Sequence, residues 1–219
     1  MAAPVERRAV IGHDAVVGFP ETVPAGIVGT LYLKYKPYLK VVNGCVPFPA
    51  VDAAGNTGGG LKTSGSSSGG CSSSTGQVYA RGASYNGLYA IMYSYYMPKD
   101  SPSTGLGHRH DWENAVVWLS DMSESATVVA VAASAHGKYN VKTSGVAADA
   151  THPLLGYESI WPLNHQMIFT STLGGQQPLI AWESLTDAAR TALQNTDFGS
   201  ANVPMKDGSF TNNLAEAAP

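Results

Sequence analysis

Eleven consecutive residues, Gly87-Leu88-Tyr89-Ala90-Ile91-Met92-Tyr93-Ser94-Tyr95-Tyr96-Met97, are apolar or aromatic on both alternating faces. An extended segment of this kind should be a central strand of a sheet. Pro98 is expected to end it, because proline donates no ladder hydrogen bond. With 24 Gly, 13 Pro and 9% aromatic residues, the remainder favours short strands and punctuated turns over a helical bundle. At 219 residues and 44% apolar content the chain supports one well-buried core, so a single, mainly β domain over residues 1–219 is expected.

Around the central run, Gln77-Val78-Tyr79-Ala80 reads as a strand. Asn114 to Leu119 and Ala126 to Ala132 read as a hairpin joined by the turn-forming Ser120-Asp121-Met122-Ser123-Glu124-Ser125. Thr30 to Tyr35 and Tyr38 to Val42 carry β-formers in partial alternation, and are expected to form a strand or sheet edge bent at Pro37. Thr186 followed by Asp187 and good helix formers to Gln194 predicts a short capped helix, and residues 212–218 a second, frayed one.

A formal net charge of -3 excludes the basic footprint that nucleic-acid binding needs. It equally removes non-specific adhesion to anionic lipid, so a membrane target would require recognition of a particular headgroup. No stretch approaches the roughly 20 apolar residues of a spanning helix, so no transmembrane segment is expected, and the densest run, Val128 to Ala135, suits a sheet. The first residues, Met1-Ala2-Ala3-Pro4-Val5-Glu6-Arg7-Arg8, lack the apolar core of a signal peptide and read as a mature secreted N-terminus with an added Met. Cys45 and Cys71 lie in polar, Gly/Ser-rich surroundings where a disulfide is the natural reading, with two unrelated thiols as the alternative. Closure of the loop between them would contribute about 3 kcal/mol.

The densest polar cluster is Gly107-His108-Arg109-His110-Asp111-Trp112-Glu113, preceded by Pro98-Lys99-Asp100-Ser101-Pro102. Strict alternation would put His108 and His110 on one face and Asp111 and Glu113 on the other. A loop that becomes a strand only near Asp111 could gather all four, with Trp112, Asn114, Val116 and Trp118 facing away. Asp100, Asp111 and Glu113 would repel one another unless a positive charge sat among them. A hard cation is one answer, since oxygen-rich sites suit Mg²⁺ or Ca²⁺; neutralisation by Arg109 and Lys99 in a salt-bridge network is the other. Trp161, beside Pro162 in a polar stretch that ends at His165, either stacks on a sugar or lodges in a bilayer interface, or else caps the core.

From Ala90 through Pro102, and again from Gly107 to Glu113, the sequence closely resembles the hallmark region of the necrosis- and ethylene-inducing peptide 1-like proteins, the NPP1-type cytolysins. Supporting likeness runs from His13-Asp14-Ala15-Val16-Val17 to Phe198-Gly199-Ser200-Ala201-Asn202-Val203-Pro204, and two cysteines fit the two-cysteine type. Tyr95 stands where Trp is common, and Asn164 where some active members carry Asp.

The resemblance implies a central β-sandwich flanked by short helices, similar to actinoporin and fungal-lectin folds. It implies a Mg²⁺ or Ca²⁺ ion held directly by Asp100 and Asp111, with His108 and Glu113 reached partly through water. It further implies membrane or headgroup contacts by Trp161, His165, His110 and His136, and a plant plasma-membrane glycosyl inositol phosphorylceramide as partner. A secreted, extracellular cytolysin, monomeric in solution and not an enzyme, is the expected activity. Two rivals are a non-lytic sugar-binding elicitor and a metal-dependent carbohydrate-active enzyme with a cupin-like site. For the enzyme, the spacing from His108 and His110 to Glu113 is one residue short, and no Gly-x-Ser-x-Gly elbow is present.

Overall fold

The apolar run becomes the third strand of a six-stranded sheet and is buried along nearly its whole length, as its two apolar faces demand. The structure, a computed structural model, describes residues 8–159 and 165–219. In chain order these residues form β1 (Val10–Ile11), α1 (Ile27–Lys34), β2 (Tyr38–Val41), β3 (Thr57–Gly58), β4 (Val78–Tyr85) and β5 (Leu88–Asp100). There follow β6 (His108–Leu119), β7 (Val128–Ala135), β8 (Lys138–Lys142), β9 (Ala148–Asp149), β10 (His152–Ser159), β11 (His165–Phe169), β12 (Leu179–Ala181), α2 (Asp187–Asn195) and α3 (Asp207–Glu216).

The large sheet has the order β12-β4-β5-β6-β7-β8, antiparallel except where β12 joins β4. A second sheet, β11-β10-β2, with β9 paired to β10, covers one face of it. Tyr157 on β10 reaches across to Asp111 on β6. On the same face α1 receives the Tyr93 hydroxyl at the carbonyl of Tyr32, 2.9 Å away. The opposite face carries the C-terminal segment, where Phe198 packs on Tyr96 and Trp112 and the Trp118 indole N–H donates to the carbonyl of Ala217. The result is the mainly β sandwich with short helices that was expected.

Three local expectations need correction. Thr30 to Lys34 belongs to a helix, not a strand, with Tyr35 as its C-terminal cap: Gly29, Leu31 and Tyr32 are the buried residues of the helix, and Tyr35 is buried just beyond it, a one-sided burial that the β-forming residue types had masked. The β5 strand does not stop at Pro98. The ladder slips there, from Met97 opposite Asp111 to Lys99 opposite His110, so the missing proline N–H interrupts nothing. The last helix starts earlier than expected, at Asp207, although Gly208 and Ser209 are weak helix formers. The α2 helix matches its sequence signal, with the Thr186 side chain accepting from the Ala189 N–H at 3.1 Å.

Cys45 and Cys71 form the disulfide. The Gly/Ser-rich tip of the loop it closes buries few side chains and is held by hydrogen bonds. Lys99 Nζ donates to Ser66 O at 2.9 Å, Gly105 N to Thr63 O at 2.8 Å and Thr104 Oγ1 to Gly65 O at 2.9 Å. The loop is thereby docked beside residues 99–105, next to the polar cluster.

Candidate functional site

The register between β5 and β6 decides which polar side chains meet. Tyr95 lies opposite Glu113 and Met97 opposite Asp111; then Lys99 faces both His110 and Arg109, and Asp100 faces His108. Two residues opposing one is a β-bulge, and His110 takes the positive φ of 62° that it requires. The extra residue shifts the alternation by one. His108 is carried to the face of Asp111 and Glu113, while Trp112 keeps its place among Tyr79, Tyr96 and Phe198. Sequence reasoning placed the break in alternation correctly, but as a loop; the chain solves the problem inside the strand.

Ligand atoms of Asp100, His108 and Asp111 all lie within 4.8 Å of one another, and both aspartates are buried. His108 Nδ1 is 2.7 Å from the carbonyl oxygen of His110, which can only accept, so Nδ1 carries the proton. Nε2, 3.7 Å from Asp100 Oδ2, is then free to act as a lone-pair donor toward a cation. Asp100 is oriented from behind by His165, whose Nδ1 is 2.6 Å from Oδ1 and whose backbone N–H donates to Oδ2 at 3.2 Å. The His165 ring is stacked on Tyr157 at 4.6 Å, and Tyr157 in turn donates its hydroxyl to Asp111 Oδ2 at 2.7 Å. Burial, and after it the nearby Asp100, pushes the Asp111 carboxyl up to about 7. Burial and then Asp111 push Glu113 well above the usual carboxylate range, against the Ser134 hydroxyl that donates to it.

No Lys or Arg relieves this crowding among the described residues. The Lys99 ammonium is spent on Ser66 O, and the Arg109 guanidinium donates to Gly59 O at 2.6 Å. The salt-bridge alternative left open by the sequence therefore has no support in the geometry. Two buried carboxylates and an imidazole nitrogen at this spacing form a group that could hold a metal ion, with an oxygen-rich character suited to a hard cation.

The group opens into a cavity of about 570 Å³ whose lining includes Asp100, His108, Asp111, Glu113, His136 and His165. His136 arrives from the two-residue β7–β8 turn, where it and Gly137 both have positive φ. The lining also includes Asn202, Ser209 and Asn213 from the C-terminal segment, which packs on the other face of the sheet. His110 is not in this lining. Its ring sits against Tyr96 and Phe198 with Nδ1 2.6 Å from the Tyr96 hydroxyl, and burial pushes its pKa down to about 4, so it is neutral. Trp161 and Asn164 lie outside the described residues. Sequence reasoning missed Tyr157 and Ser134; for Tyr157 a signal existed, since Leu155 and Tyr157 share a parity in an apolar run.

Gly107 sets the start of β6. Its φ is +89°, and a Cβ there would stand 2.2 Å from the Asp100 carbonyl oxygen. We expect Gly107→Ala to cost about 1–3 kcal/mol of stability, a strained backbone plus a clash with main chain, measurable by urea denaturation. An unchanged midpoint would contradict the placement of Asp100 and His108 described above.

Residues 29–217 match the family model of necrosis inducing protein (NPP1). The chain is 52% identical to NLP effector protein 10 of Phytophthora capsici, over 99% of this chain and 95% of that protein. Among solved structures, NLPPya in complex with mannosamine superposes with a TM-score of 0.92 at 53% identity, covering 96% of this chain and 100% of the other. The non-toxic HaNLP3 protein superposes with a TM-score of 0.91 at 42% identity, covering 94% and 99%. Family model, curated relative and fold agree: the chain belongs to the necrosis-inducing NPP1 family.

Proposed function

We propose that this chain is a secreted cytolytic effector that damages plant plasma membranes and causes necrosis and ethylene production, acting through a divalent cation bound at Asp100, His108 and Asp111. The observation that carries the reading is the buried carboxylate pair, neutralised by no Lys or Arg among the described residues, with His108 Nε2 turned toward it. Asp100 and Asp111 would hold Mg²⁺ or Ca²⁺ directly, with Glu113 reached through water. The cation supplies a Lewis-acidic centre for sugar hydroxyls. Asn202, Ser209 and Asn213, which share the lining, would offer hydrogen bonds to the same ligand. That NLPPya has been solved with mannosamine supports a sugar as the group recognised, and the terminal hexose of glycosyl inositol phosphorylceramide fits.

His165 and Tyr157 act as positioning residues, each fixing one aspartate. Trp161 would press into the membrane interface beside the bound headgroup. With a net charge of -3, selectivity must come from this contact and not from general attraction to the bilayer.

Dye leakage from vesicles with and without the glycosylated sphingolipid tests the reading. Leakage should occur only with the glycolipid and stop on chelation; equal leakage from both preparations would refute headgroup recognition. A second reading, a non-lytic sugar-binding elicitor, is favoured by the retention of this fold in HaNLP3, a non-toxic protein. It predicts sugar binding without leakage.

A further inference from the structure

The chain leaves β2 through Val42-Asn43-Gly44-Cys45, and each residue is fixed by a different neighbour. The Val42 N–H donates to the Tyr157 carbonyl at 2.9 Å, and Asn43 Oδ1 accepts the Ser159 N–H at 2.8 Å. Cys45 is held by its disulfide to Cys71. Between them Gly44, with a φ of +84°, runs so close to the His165 ring that a Cβ would stand 2.4 Å from Nε2. That Nε2 is buried with no hydrogen-bond partner among the described residues, so on this side only packing holds the ring whose Nδ1 meets Asp100.

Asn-Gly is the dipeptide that cyclises most readily, because glycine puts no side chain in the way of its own nitrogen. Two occur in the chain, Asn43-Gly44 and Asn86-Gly87. The second forms the turn of the β4–β5 hairpin, clamped by the Tyr85 and Leu88 pair, and its side-chain amide has no partner among the described residues. The first differs in three ways. Asn43 is exposed at the end of a strand, the Gly44 N–H donates to no partner among the described residues, and the Ser159 N–H already points at Oδ1. Negative charge develops on that oxygen when Cγ is attacked, so the donor that holds the side chain also activates it.

We propose that Asn43 is a self-modification site, and that its reaction disarms the neighbouring cation site. Gly44 N, giving up its proton to solvent, bonds to Asn43 Cγ; the Cγ–Nδ2 bond breaks and ammonia departs, leaving a cyclic succinimide. Water then opens the ring at either carbonyl, giving an aspartate or a β-linked isoaspartate at position 43. The aspartate keeps the main chain and an oxygen for the Ser159 N–H. The isoaspartate routes the main chain through Cγ and so lengthens it between two points that the Tyr157 carbonyl and the disulfide hold in place. The excess is taken up at Gly44, against His165, and displaces the ring that orients Asp100. The effect on cation binding rests on the reading of Asp100 as a ligand; the modification and the ring displacement do not.

The test ages the full chain at mildly alkaline pH and maps its peptides by mass spectrometry with isoaspartate-specific detection. Asn43 should convert ahead of Asn86, mainly to isoaspartate, and Asn43→Gln, which cannot close the five-membered ring, should keep its amide. The His165 ring resonances should move in the aged chain, in chelator as well as in Mg²⁺, and stay in place in freshly prepared Asn43→Asp. Mg²⁺ affinity should fall about 10-fold on ageing, as expected when a ligand loses its orienting partner, and remain at the parent's level in Asn43→Asp. Two results would overturn the proposal: conversion of Asn86 while Asn43 keeps its amide, or isoaspartate at position 43 with the His165 resonances unmoved. Should the fresh chain bind no Mg²⁺, the cation reading fails, while peptide mapping and the ring resonances still decide whether Asn43 is the modification site.

Discussion

Asp111→Asn should abolish glycolipid-dependent leakage while leaving the fold as stable as before, or more so. The substitution keeps the volume and an oxygen for the Tyr157 hydroxyl to donate to, but removes the charge that makes the carboxylate pair costly without a cation. Loss of a direct ligand should lower cation affinity by at least about 100-fold, the upper end of what losing a mere supporting partner costs. In a thermal melt, added Mg²⁺ or Ca²⁺ should raise the midpoint of the parent chain and not that of the variant. A variant that is less stable in chelator, and equally responsive to cation, would mean that Asp111 is a structural residue. This separation of stability from activity is characteristic of residues kept for a ligand at the expense of the empty fold.

The largest loss of stability is expected at Trp118, at a distance from the carboxylates. Its side chain is fully buried, its ring meets Tyr85 edge-on at 5.9 Å, and its N–H donates to Ala217 O at 2.9 Å, fastening the end of α3 to the sheet. Trp118→Ala should cost about 3–5 kcal/mol, a large fraction of the total stability of an ordinary domain. Trp118→Phe, which keeps most of the packing but orphans the carbonyl, should cost about 1–2 kcal/mol. Chemical denaturation measures both. Because Asn213 and Ser209 ride on α3, loosening this helix should weaken sugar recognition before it touches cation binding.

Much of the architecture was legible because it is written in short-range patterns. The two-faced apolar run Gly87 to Met97 specified a central strand, the hairpin after Leu119 followed from its turn residues, and Thr186 marked the start of α2. What escaped was decided by non-local contacts. Thr30 to Lys34 is helical because Leu31 and Tyr32, with the cap residue Tyr35, are buried on one side, and β-propensity loses to that burial. The second sheet was largely unread. Its strand β10 runs through Gly156, where Ile168 packs so closely that a Cβ would stand 2.8 Å from it.

The candidate site shows the same division. Its acidic and histidine residues were visible from their density in the sequence. Their sorting was not, since it depends on one bulge that turns His110 into the aromatic cluster and His108 toward the aspartates. The partners Tyr157 and Ser134 come from other strands, and no local pattern announces which side chain a neighbouring strand will present.

Calorimetric titration of the cation-stripped full chain with Mg²⁺ and Ca²⁺ bears most directly on the central claim. One ion per chain should bind saturably, and binding should vanish in Asp100→Asn and in Asp111→Asn. Absence of saturable binding for both cations, or binding undiminished in the two variants, would contradict it.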